Sequence, residues 1–148
     1  MVKATTLVQR VFGFCFLAFG LNGFVHFVPS IPMPNPAFEF FVGLAAAGYM
    51  LPLLYITQAT AGALLLVGLF APLAVAILAP IVVNIFLFHL FLAPEGIPLA
   101  IMLAAFEASL AWAYRDAYIS MLQPYAIPDL QHIETDSDSE HAHRPATA

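Results

Sequence analysis

The chain has 148 residues, of which 62% are hydrophobic and 9% charged, with four Lys and Arg and a formal net charge of -5. So small a soluble domain must cover its surface with charge, and four cations can neither do that nor neutralise a nucleic-acid backbone. A soluble enzyme and a nucleic-acid binder are excluded, and an integral membrane protein remains.

A bilayer core of about 30 Å asks for roughly 20 apolar residues per spanning helix. The first candidate runs from about Leu7 to Val28. Lys3 and Arg10 ahead of it, and the small residues of Ala18-Phe19-Gly20, also fit a signal peptide, but apolar sequence continues past a usual h-region, so a retained helix is expected. Cys15 lies inside this run. A lone cysteine provides no internal disulfide, redox pair or thiolate zinc site, and reads as a small buried hydrophobe. Pro29, Pro32, Pro34 and Pro36 follow. The stretch Ala37–Gly48 is apolar but short, and is expected to form an interfacial or re-entrant helix; the alternative is one long second span kinked at Pro52. The second span covers about Met50–Phe70, the third Pro72–Leu92 and the fourth Pro98–Tyr118, separated by Ala71-Pro72 and by Pro94-Glu95-Gly96. Irregular backbone in lipid leaves N–H and C=O groups unpaired, so the spans are helices. The expected fold is all-α: a four-helix transmembrane bundle over residues 1–120, with the short helix between helices 1 and 2. Residues 121–148 carry Asp129, Glu134, Asp136, Asp138 and Glu140 and read as a disordered cytoplasmic tail, its His141 and His143 included.

Lys3 and Arg10 flank the amino terminus and Arg115 follows the fourth span, whereas the 29–49 and 93–97 connections hold no cation. The positive-inside rule then predicts both termini cytoplasmic. Within the spans, counting 1.5 Å per residue puts Asn22, Gln58, Asn84 and Glu107 in one layer, with His26 and His89 above it toward the outer surface. Asn22 and His26, four apart, share a helix face. The inner half is almost without polar groups between Gly62 and Ala79, so the pattern predicts a pocket closed below and opening outward or sideways. Amides at such depth often only tie helices together. A carboxyl there needs a proton, a cation or several donors, and Glu107 is expected as a neutral acid bonded to Asn84 or Gln58. His26, His89, Glu39 and Glu107 have metal-ligating chemistry, but no span carries H-x-x-x-H or E-x-x-H spacing, and a metal site would need assembly by tertiary contact.

The run LLLVGLFAPLAVAILAPIVVNIFLFHLFLAPEG from Leu64 to Gly96 resembles the DoxX and DoxX-like family of small bacterial membrane proteins. Arg10-Val11-Phe12-Gly13 with Gly20, and AWAYRDAY from Ala111 to Tyr118, carry the same likeness, and Asn84-Ile85-x3-His89 is its most particular piece. Many members have a glutamate in the second helix, where this chain has Gln58. The resemblance implies a four-helix bundle of the bacterial inner membrane and a place as a small subunit linked to quinone redox chemistry, as in thiosulfate:quinone oxidoreductase, or to membrane redox-stress complexes. On that view a quinone or similar amphiphile sits in the outer half, His89 and His26 bind its carbonyl, and Glu107 accepts a proton. No flavin, haem or cysteine signature is present, so electrons would come from a partner protein. The competing expectation is a non-enzymatic scaffold, with small residues (Gly62, Gly68, Ala104, Ala108, Ala111) at helix contacts and a homo-oligomer as one form it takes.

Overall fold

A computed structural model describes residues 2–27 and 32–121. The helices are α1 (Val2–Val25), α2 (Asn35–Ala46), α3 (Met50–Val67), α4 (Ala71–Phe91), α5 (Ile97–Ala113) and α6 (Arg115–Met121), with a 3-10 turn at Pro94–Gly96 before α5. Four stretches, Ala4–Val25, Met50–Val67, Ala71–Phe91 and Pro94–Ala113, are long and apolar enough to cross a bilayer, and only 22–28% of each is buried within the protein. Large side chains such as Phe14, Val67, Phe91 and Ile101 face outward. With so few charges available, that surface requires lipid as its solvent.

Each break has a local cause. Gly68 adopts a left-handed conformation at φ 86° and closes α3, with Gly68 and Leu69 N–H both donating to the Leu64 carbonyl. Pro72 then stands in the first turn of α4, where its missing N–H costs nothing. Gly48, at φ 74°, separates α2 from α3. Pro52 falls in the first turn of α3, so the short helix is a separate element and no long span kinks there.

Two boundaries differ from those expected. The first helix stops at Val25, because His26 takes a left-handed φ of 53° while its N–H still bonds the Asn22 carbonyl. The fourth ends at Ala113. Tyr114 leaves helical geometry, and α6 starts anew, with the Arg115 guanidinium donating to the Trp112 carbonyl and lying 5.2 Å from its ring centre. This restart brings Tyr118 to α4, where its hydroxyl donates to the Pro72 carbonyl at 2.8 Å.

Helices in lipid gain little from the hydrophobic effect, so close packing and small residues hold them together. α1 and α3 run antiparallel in near backbone contact through Gly13, Gly20 and Gly62. The core is concentrated toward the end where α1 begins: Phe12 and Phe16 of α1, Leu65 of α3, Val75 and Leu78 of α4 and Leu110 of α5 are all fully enclosed. Phe12 and Phe16 meet edge to face at 4.8 Å. The bundle unit comprises Met1–Tyr118. The expectations for residues 122–148, including the tail histidines, lie outside the described residues.

Candidate functional site

One end of the bundle is sealed by a polar knot that the sequence reading passed over. Gln9 is buried; its amide N–H donates to the Leu65 carbonyl at 2.7 Å, and its amide oxygen accepts from the Tyr114 hydroxyl. One side chain thereby joins α1, α3 and the end of α5, and its own groups are satisfied. The same bond puts Arg10 and Arg115, the neighbours of Gln9 and Tyr114, at one end of the bundle. Gln9 was legible in principle as an amide within the first apolar run.

At the other end packing loosens into a cavity of about 260 Å³. Five helices line it. α2 contributes Phe40, Phe41 and Leu44, α1 contributes Phe19, and α3 contributes Leu54 and Gln58. α4 adds Ile81, Asn84, Ile85, Phe88 and His89, and α5 adds Leu99 and Leu103. Phe88 meets Phe41 at 5.4 Å and Phe40 at 5.6 Å, so α2 closes over the space through its aromatic pair. Asn84 and Leu99 are exposed as well as lining, which puts the opening on their side of the bundle. An apolar chamber with a few convergent polar groups is the usual form of a small-molecule site.

Of the six residues singled out from sequence, the cavity collects Gln58, Asn84 and His89. Gln58 is buried, Asn84 stands at the rim, and His89 is half-buried. The His89 ring lies 3.0 Å through Nδ1 from the Ala93 carbonyl, and its edge fills the space beside Gly96, where any side chain would collide with it. The other three are not among the lining residues. Asn22 is half-buried on α1, and His26 is exposed beyond the helix end, so the two do not share a helix face.

Glu107 lies on α5, outside the cavity lining. It is buried, with neither carboxyl oxygen bonded, and the expected hydrogen bond to Asn84 or Gln58 is not made. Counted from the same end of the bundle, it lies about 15 Å along α5 from Ile97, against about 10 Å along α4 from Phe91 for Asn84. Its electrostatic neighbour is Tyr118 of α6. Burial above all, then the Glu107 charge and Tyr114, push the Tyr118 phenol above its ordinary value of 10.0. The native state therefore resists ionisation more than the unfolded chain does. Stability from this group is intact below pH 10 and is lost as pH rises from there through the higher native value. Denaturation midpoints should accordingly fall less steeply above pH 10 in Tyr118→Phe than in the wild type; equal slopes would contradict the assignment. Among the described residues no three of His, Cys, Asp and Glu come together to hold a metal ion.

Comparison with protein-family models, with curated proteins and with solved structures finds no match to this chain.

Proposed function

We propose that this protein is a DoxX-like multi-pass protein of the bacterial inner membrane that binds a quinone or a similar amphiphile in the cavity beneath α2, as an accessory subunit of a redox system. The observation that carries this reading is the cavity itself: an aromatic and aliphatic chamber whose polar groups, Gln58, Asn84 and His89, lie among rings able to stack on a flat head group. Its opening at Asn84 and Leu99 suits a ligand arriving from the lipid with its tail left in the membrane. Electrons come from a partner protein, since the sequence carries no flavin, haem or paired-cysteine signature. The cations Arg10 and Arg115 at one end of the bundle support cytoplasmic termini, with the cavity toward the outer face.

Titration of the purified, reconstituted protein with a short-chain quinone, in its oxidised and its reduced form, tests the reading. Leu54→Trp fills the chamber and should weaken binding by about tenfold or more, some 1.4 kcal/mol. Glu107→Gln, outside the cavity lining, should leave affinity unchanged. Equal affinity in the wild type and Leu54→Trp would remove the cavity as the site.

A scaffold role is the second reading, favoured by the Gln9 knot, where a membrane-embedded amide holds helices together and nothing else. It requires that no small molecule occupies the chamber.

A further inference from the structure

The His89 ring decides which oxygen chemistry the cavity accepts. Its Nδ1 stands 3.0 Å from the Ala93 carbonyl, which also accepts the Gly96 N–H at 3.0 Å. A carbonyl oxygen only accepts, so a contact of this length needs the proton on Nδ1. The polar companions of His89 in the chamber are the amides of Gln58 and Asn84, and among the described residues the one ion pair is Arg115–Asp116, at 3.7 Å and remote from the chamber. With Nδ1–H engaged by the Ala93 carbonyl, the neutral imidazole has Nε2 left as its acceptor.

We infer that the ligand meets His89 with a hydroxyl group, so the chamber selects an alkylphenol or a hydroquinone over a ligand offering only carbonyl or ether oxygens. This rests on the cavity being the binding site, and it reverses the expectation that His89 donates to a quinone carbonyl. A carbonyl facing Nε2 sets lone pair against lone pair. A phenolic O–H satisfies the ring, and the Gln58 and Asn84 amides, which both donate and accept, can serve the far oxygen of a hydroquinone.

The probes are para-hexylphenol and its methyl ether, equal in shape but for the donor, titrated into the reconstituted full chain by calorimetry. The phenol should bind about tenfold more tightly than the ether to the wild type, and the preference should vanish in His89→Phe, which keeps a ring but has no acceptor. Phenol and ether binding equally to the wild type overturns the inference while leaving the cavity reading intact. If neither binds more tightly than to Leu54→Trp, the cavity reading fails and the inference falls with it. Nitrogen-15 NMR of the histidine side chains gives a check that needs no variant: His89 should carry its proton on Nδ1, and a proton on Nε2 alone overturns the proposal.

Discussion

Gly62→Leu should abolish folding of the bundle. A Cβ at residue 62 falls 2.7 Å from the Gly13 carbonyl and against the backbone nitrogen of Leu17, and both neighbours are main-chain atoms of α1 that cannot swing aside. Gly20 is in the same position from the other side, with a Cβ 2.7 Å from the Tyr55 carbonyl. α1 and α3 would have to separate along most of their length, and in lipid nothing but packing draws them back. The loss should exceed about 4 kcal/mol, the range reserved for disrupted cores. Detergent-unfolding titrations followed by circular dichroism read it directly. Gly43, which has open space around its Cβ direction on α2, provides the control: Gly43→Ala should unfold like the wild type. A Gly62→Leu protein of undiminished stability would mean that α1 and α3 are not in backbone contact.

Glu107→Leu should stabilise the protein. Both oxygens of this carboxyl are buried without a partner, and an unsatisfied polar group of this kind costs about 1–3 kcal/mol. Leucine removes the polar atoms at similar volume, so the variant should gain stability within that range, whereas Glu107→Gln leaves an unpaired amide and gains less. Quinone or phenol affinity should be the same in all three proteins, because Glu107 does not line the chamber. A loss of stability in Glu107→Leu would show that the acid is held by bonds the native bundle needs.

The four spans could be read from sequence because each cue acts locally: apolar length set by bilayer thickness, and proline or glycine where a helix must stop. Pro72 and Gly68 do at the α3–α4 corner what those residue types do anywhere. What failed was counting depth from assumed helix ends. Taking the first helix through to Val28 put Asn22 six residues below its outer end, where the stop at Val25 leaves three. The same error put His26 on a helix face that ends at Val25. The cavity was legible only in part. Gln58, Asn84 and His89 stood out as polar groups in apolar helices, but Phe40 and Phe41 looked like any interfacial aromatics until tertiary packing set them against Phe88. Gln9 escaped because its meaning depends on Leu65 and Tyr114, both remote in sequence.

Native mass spectrometry of the gently purified protein tests the central claim most directly, comparing the wild type with Leu54→Trp. An amphiphile of fixed mass should stay with the wild type and be absent from the variant. An empty wild type, or the same adduct on both proteins, would contradict a ligand site beneath α2.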